Sequence, residues 1–129
     1  MFVKSDYPSH ELEFLLNDLK PNAYIEQTTS SETKQYFLET FADYPLTRIR
    51  MRVKKYLSFY QSNEWEGTTK KSFPTVLVIC PDDMILAYAK RYAKTRLAQL
   101  DEPDLTLHLT TLEKVKELGI TGDIWKKIN

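Results

Sequence analysis

Two short stretches of the sequence place polar side chains where they could hold a divalent metal. Asn22 follows Pro21 at the start of a strand-like segment, and Glu39 lies in the next such segment, two residues before Phe41. Mg²⁺ binds oxygen ligands, usually one or two carboxylates together with substrate phosphates, and it activates a water for attack. Asn22 offers a neutral amide oxygen, and Phe41 offers no ligand at all. Glu39 alone has the required chemistry, so it is the candidate metal ligand.

This order of residues resembles the PD…(D/E)xK pattern of restriction-endonuclease-like domains. Asn22 stands where the pattern has its first acid, and Phe41 stands where it has its lysine. The resemblance implies that Asn22 and Glu39 are the remnant of a catalytic site that no longer cuts DNA. The residues alone leave a second interpretation open, because short patterns also occur by chance. In that interpretation Asn22 only begins a strand after a proline, and Glu39 is an ordinary glutamate on the wet face of a strand.

The segment from Pro45 to Gln61 is a candidate nucleic-acid-binding helix, because basic residues crowd its middle and no acid lies among them. Arg48, Arg52 and Lys55 fall at i, i+4 and i+7, so they share one helix face. Arginine grips phosphate bidentately, and each phosphate contact releases counterions. Acidic side chains elsewhere in the fold would neutralise the same charges, so both partners stay open. The candidate contacts to nucleic acid are Arg48, Arg52, Lys54, Lys55 and Tyr56.

A second basic stretch follows later in the chain and is interleaved with tyrosines. Its basic residues are Lys90, Arg91, Lys94 and Arg96, and the tyrosines are Tyr88 and Tyr92. Tyrosines beside basic residues can stack on nucleic acid bases. The alternative is that they pack at the edge of the core with their hydroxyls in water.

Composition limits the class of protein. The 129 residues carry 18 basic and 18 acidic side chains, so no global field draws the chain to nucleic acid or anionic lipid. The single cysteine, Cys80, excludes a disulfide framework and suggests a reducing compartment. No secretory signal or apolar run of roughly 20 residues is present. We therefore expect one cytoplasmic domain over residues 1–129 with no membrane partner.

Apolar periodicity and turn residues predict eight elements. Ser9 is expected to cap the first helix, which Pro21 ends, and Asp43 is expected to cap the helix that begins at Pro45. The stretch 63–72 is polar, contains Gly67 and is predicted to be a loop. The tail 120–128 has no clear assignment beyond Trp125 docking on the core. The predicted helices are 10–20, 45–61, 82–100 and 111–118, and the predicted strands are 22–28, 34–41, 73–80 and 105–109.

The order α-β-β-α-β-α-β-α predicts an α/β fold. A short connection makes the first two strands an antiparallel hairpin, and right-handed crossovers then lead to parallel strands. The nearly continuous apolar run at 73–80 is typical of a strand covered on both faces. We expect a mixed sheet with helices on both faces, which is compatible with a three-layer restriction-endonuclease-like core.

Several stretches taken in order resemble the replication-relaxation family of plasmid-associated proteins from Gram-positive bacteria. They are 19–24, 36–39, 52–56, 73–79, 109–112 and 122–125. Family members resemble a winged-helix segment followed by a nuclease-like domain. The resemblance covers the nuclease-like part only, because too few residues precede Pro21 for a winged helix. It implies a role in plasmid replication or DNA relaxation, with DNA and other replication or relaxation proteins as partners.

Three functions follow as expectations. The leading one is a catalytically inactive nuclease-like domain that binds DNA or a DNA-processing partner and needs no cofactor. The second is a Mg²⁺-dependent nickase or nuclease, in which Lys54 or Lys55 replaces the missing lysine. The third is a homo-oligomeric protein-interaction module, such as a homodimer, in which the basic helix meets an acidic surface.

Overall fold

The computed structural model of the protein describes residues 2–4, 9–42, 44–101 and 103–128. Within these ranges the chain alternates strands and helices, as the sequence predicts. The strands are β1 (Phe2–Lys4), β2 (Ala23–Thr28), β3 (Thr33–Thr40), β4 (Thr75–Cys80), β5 (Leu107–Thr111) and β6 (Lys126–Lys127). The helices are α1 (His10–Leu15), α2 (Leu46–Gln61), α3 (Glu64–Thr69), α4 (Asp83–Leu97) and α5 (Leu112–Leu118).

The strands form one mixed sheet in which they lie side by side in chain order. β1, β2 and β3 pair antiparallel, β3, β4 and β5 pair parallel, and β6 pairs antiparallel with β5. The predicted hairpin is therefore confirmed as β2 and β3, with Tyr24 opposite Phe37. The predicted α/β class and mixed sheet are confirmed as well.

The crossover helices α2 and α4 lie on the same face of the sheet. α2 joins β3 to β4 and α4 joins β4 to β5, so both connections step across the sheet in the same direction. Right-handed crossovers that step in one direction leave their helices on one face. The two helices accordingly contact each other, and α3 contacts α2 and α1.

One hydrophobic cluster fills the space between this helical layer and the sheet. Phe37 and Val76 lie side by side on the inner face and are fully buried. Trp65 of α3 packs edge-on against Phe37 with ring centroids 5.4 Å apart. The opposite face carries Ile25 and Leu77, which are also buried but lie outside this cluster. α5 contacts β4 and β5 and contributes no buried residue.

Local signals explain where most helices begin and end. Ser9 Oγ accepts a hydrogen bond from Leu12 N at 3.1 Å, which confirms the predicted cap. Asp82 and Thr111 cap α4 and α5 in the same way. Gly119 follows α5 with φ of 77°, a conformation that glycine adopts without strain. The other expected cap, Asp43, lies outside the described residues, and Pro45 occupies the position before α2.

The structure departs from the prediction in the stretch 63–72, where α3 forms instead of a loop. Trp65 is 1% exposed, and its Nε1 donates to Ser72 O at 3.0 Å, so a single aromatic anchor holds the turn of helix against the sheet. The first helix also ends at Leu15 rather than Lys20. Strands β1 and β6 are too short to give a sequence signal. Trp125 is only half-buried and donates to Ile120 O, while its neighbour Ile124 is buried.

No helix in the described part of the chain is both long enough and apolar enough to span a bilayer.

Candidate functional site

Glu39 is buried at the centre of the candidate site. Strand alternation places Phe37 and Glu39 on the same face of β3, and that face looks toward α2 and the main core. Glu39 is 2% exposed, although glutamate is almost never fully buried without a partner. The interpretation of Glu39 as a residue on the wet face of its strand is therefore wrong.

Two side chains of α2 bind the same oxygen of Glu39. Arg52 Nη2 donates to Oε1 at 2.6 Å, and the Tyr56 hydroxyl donates to Oε1 at 2.7 Å. Arg52 and Tyr56 are four residues apart, so they project from one face of the helix. The Arg52 side chain is 13% exposed, which makes this a largely desolvated ion pair. Charge-assisted hydrogen bonds of this kind are short and strong.

Arg52 also ties α2 to the turn that precedes β2. Its Nη2 donates to the carbonyl of Lys20 at 3.3 Å. Lys20 has a φ of 46°, a left-handed conformation that costs energy for a residue with a side chain. The Arg52 Nε is buried and has no hydrogen-bond partner among the described residues. The guanidinium is thus held between a strand carboxylate and a strained turn.

Burial and charge set the protonation of the two donors. The Tyr56 pKa is raised well above its usual value, first by burial and then by the negative charge of Glu39. Burial alone would lower the pKa of Arg52, but the hydrogen bond and charge of Glu39 outweigh it and raise that pKa. Both groups therefore remain proton donors to Glu39 throughout the physiological pH range.

The structure brings Asn22 and Glu39 together, as their spacing predicts. Ala23 pairs with Leu38 across β2 and β3, and Asn22 and Glu39 come one residue beyond that pair. Asn22 Oδ1 accepts a hydrogen bond from Thr40 N at 2.8 Å, so the amide closes the open end of the hairpin. Phe41, in the lysine position, is 1% exposed and packs in the core.

These contacts do not fit a bound divalent cation. The Oε1 atom of Glu39 is engaged by two donors, and one of them carries a full positive charge that repels a metal ion. The Asn22 oxygen accepts from the backbone. Among the described residues no three His, Cys, Asp or Glu side chains lie close enough to share a metal. This arrangement of side chains does not support Glu39 as a metal ligand, and that assignment stays a prediction.

The predicted nucleic-acid contacts divide into inward and outward groups. Tyr56 is 2% exposed and cannot stack on a base, and the charge of Arg52 is neutralised inside the protein, so both assignments are corrected. The other three are exposed. Arg48 lies over the Tyr44 ring at 4.1 Å, Lys55 Nζ donates to Asp18 O at 3.1 Å, and Lys54 projects between neighbouring grooves.

Sequence reasoning found both basic helices and missed that they lie together. α2 and α4 carry nine of the chain's 18 basic residues and one of its 18 acidic residues, Asp83. All five arginines of the chain belong to these helices. Apart from the pair of Arg52 with Glu39, none of these basic side chains forms an ion pair with an acid that the structure describes. The predicted crossovers could have shown that the helices are neighbours, because two successive crossovers in one direction leave their helices on the same face of the sheet.

Cys80 is the other side chain with reactive chemistry, and its surroundings suppress that chemistry. It ends β4 and is fully buried. Burial, together with the charge of Asp82, raises the pKa of its thiol to about 12. Because the thiolate is the nucleophile, Cys80 is an inert packing residue at neutral pH.

We expect Glu39→Gln to destabilise the fold by about 3 kcal/mol, because it leaves the Arg52 charge buried without a counter-charge. Urea unfolding followed by circular dichroism measures the loss. The matched control is Glu32→Gln, which breaks the 3.5 Å pair with Lys34. Both partners of that pair are 58% exposed, so the control should change stability by less than about 1 kcal/mol. Equal effects of the two substitutions would contradict the role given to the buried pair.

Cys80 should not react with the thiol reagent DTNB in the native protein at about pH 8, near the ordinary thiol pKa. After unfolding in urea the same residue should react quickly and stoichiometrically. Absorbance of the released thiolate measures both rates. Rapid reaction of the folded protein would show that the thiol is neither buried nor protonated as the structure has it.

Compared with known proteins, the chain matches no family model, no curated protein and no solved structure. The resemblance to the replication-relaxation family therefore stays a prediction.

Proposed function

We propose that the chain is a nuclease-like α/β domain of the replication-relaxation type that binds DNA without cutting it. The observation that carries the binding part is the concentration of positive charge on α2 and α4. The position of Asn22 and Glu39 supports the nuclease-like part. In a three-layer restriction-endonuclease-like core, the first acid would begin one strand of a hairpin and the second would lie in its partner. Here Asn22 precedes β2, and Glu39 lies in β3 beside it.

The concentration of basic residues on two neighbouring helices is the argument that the partner is DNA. The chain is neutral as a whole, yet two adjacent helices hold half of its basic residues and almost none of its acids. Like charges crowded on a helix destabilise it mildly. A phosphate backbone relieves that repulsion and releases counterions on binding. The exposed basic side chains that α2 offers are those of Arg48, Arg50, Lys54 and Lys55.

The arrangement at Glu39 supports binding without cleavage. A nuclease of this type needs a carboxylate free to hold the metal and a lysine two residues further on. The Arg52 guanidinium and the Tyr56 hydroxyl engage the carboxylate, and a buried phenylalanine stands in the lysine position. In this arrangement the Nζ of Lys55 donates to the carbonyl of Asp18 and forms no ion pair with Glu39.

A protein-interaction module is the second candidate, because large apolar side chains are exposed on two of the helices. Phe14 of α1 is 86% exposed and Met51 of α2 is 54% exposed. Met51 also lines a groove of about 350 Å³ with Leu19 and Phe59. Self-association without DNA binding, seen as a size that grows with protein concentration in sedimentation velocity, would favour this candidate.

We expect the protein to bind fluorescein-labelled DNA in an anisotropy titration, with an affinity that falls steeply with salt. Four phosphate contacts predict a loss of about 100-fold between about 50 and about 200 mM salt. The double variant Arg48→Gln/Lys55→Gln should reduce the salt slope by about two units. A control that removes two exposed charges elsewhere, Lys34→Gln/Lys116→Gln, should leave the slope unchanged. No binding at about 50 mM salt, where phosphate contacts are strong, would refute the proposed function.

Supercoiled plasmid should stay supercoiled when it is incubated with the protein and Mg²⁺ or Mn²⁺. The Glu39→Ala variant serves as the control for any contaminating nuclease, because it removes the one carboxylate of the site. Nicking by the wild type that is lost in a Glu39→Ala variant shown by circular dichroism to be folded would establish the Mg²⁺-dependent nickase instead. Gel electrophoresis of the plasmid forms is the measurement.

A further inference from the structure

The seam, which is the line of contact between α2 and α4, carries positive charge that hydroxyl groups orient and that no acid among the described residues pairs with. Both helices return from the end of one parallel strand to the start of the next, so they run in the same direction. Arg50 Nη1 of α2 donates to the Tyr88 hydroxyl of α4 at 3.0 Å. These two residues are 38 positions apart. A residue of α4 therefore lies level with the residue of α2 whose number is lower by 38.

Tyrosine hydroxyls of α4 hold both arginines of this seam. Arg96 Nε donates to the Tyr92 hydroxyl at 3.2 Å, and its Nη1 donates to Gln99 Oε1 at 3.4 Å. Tyr88 plays the corresponding part for Arg50. Hydroxyl and amide oxygens fix the direction of a guanidinium and leave its charge intact. This contrasts with Arg52, which a carboxylate neutralises in the interior.

A groove of about 400 Å³ opens at the C-terminal half of the same seam. Lys54 and Arg96 stand on its two sides, and Leu57 and Leu100 contribute apolar surface. Gln61 and Gln99 add side-chain amides, which both donate and accept hydrogen bonds. A site for a nucleotide needs cations for the phosphate, apolar surface for the face of the base, and amides for the edge of the base.

The cations are also spaced along a line. Arg50 and Lys54 are one helical turn apart, or about 6 Å along the axis. The 38-residue offset puts Arg96 level with Ser58, one further turn along, and Ser58 does line the groove with Arg96. A nucleic acid strand presents one phosphate per nucleotide, so cations that recur about once per helical turn along the seam suit its backbone.

We propose that this seam between α2 and α4 binds a single strand of DNA. Arg50, Lys54 and Arg96 contact successive phosphates, and the amides of the groove reach the edge of an unpaired base. Tyr88 and Tyr92 are positioning residues that act through the arginines. A duplex offers its phosphates to the seam but keeps its base edges out of the groove. The proposal rests on the proposed function, specifies the form of DNA, and adds Arg50 and Arg96 of the seam to the contacts made elsewhere on α2.

The test compares a labelled single strand of about 15 nucleotides, within the range of known single-strand sites, with a hairpin duplex of the same sequence. The protein should bind the single strand more tightly. Arg96→Gln should weaken that binding about tenfold, as the loss of a charge-assisted contact predicts, and should lower the salt slope by about 0.7. Tyr92→Phe should weaken binding and leave the salt slope unchanged, because it misdirects the guanidinium without removing its charge.

The control is Lys116→Gln, which removes one exposed charge from α5 and should leave single-strand affinity unchanged. Circular dichroism melts check that each variant is folded. If Arg96→Gln binds DNA as tightly as the wild type, the seam is not the binding site, although the proposed function still holds. Preference for the duplex would overturn the single-strand assignment. Absence of any DNA binding at about 50 mM salt would overturn both.

Discussion

The burial of one carboxylate constrains much of this structure. Moving an ion out of water costs several kcal/mol even after the protein relaxes, so Glu39 at 2% exposure must be compensated by its surroundings. Arg52 and Tyr56 provide the compensation, and both come from α2. The pair therefore fixes the rotation of α2 about its own axis as well as its distance from β3. A purely apolar stripe would fix that rotation less sharply, because dispersion contacts are not directional.

The rotation of α2 decides which of its charges meet solvent. With Arg52 turned to the sheet, Arg50 and Lys54 are left on the side that faces α4 or solvent, since they lie two residues to either side. α4 then supplies hydroxyl acceptors for the arginines rather than carboxylates. A neutral chain has thus placed its arginines on one pair of helices, and only one of the five is paired with an acid that the structure describes. Local clustering, and not net charge, gives the surface its field.

The sequence predicted the fold well where the signal was periodic. The apolar run at 73–80, the hairpin and both long helices appear within a few residues of their expected bounds. α3 was missed because polar composition and Gly67 outweighed Trp65, whose burial depends on tertiary contact with Phe37. The same limit applied to the site. Spacing placed Asn22 beside Glu39, but only the packed structure shows that Arg52 points inward. The charge of Arg52 suggested an exposed position, although Arg52 lies next to Val53, on the side of α2 that faces the core.

The contrast between a guanidinium and a metal ion connects the fold to the function. Each can neutralise a buried carboxylate, so each can stabilise a strand that carries Glu39. A divalent ion also keeps open coordination positions, where a water can bind and lose a proton. A guanidinium has only fixed donors and cannot activate water. Since Arg52 is part of the chain, the carboxylate is satisfied whether or not metal is present, and the fold gains stability at Glu39 without a metal-activated nucleophile. Under the proposed function, such an arrangement would keep the scaffold and its basic surface and would lack the chemistry that cuts a bound strand.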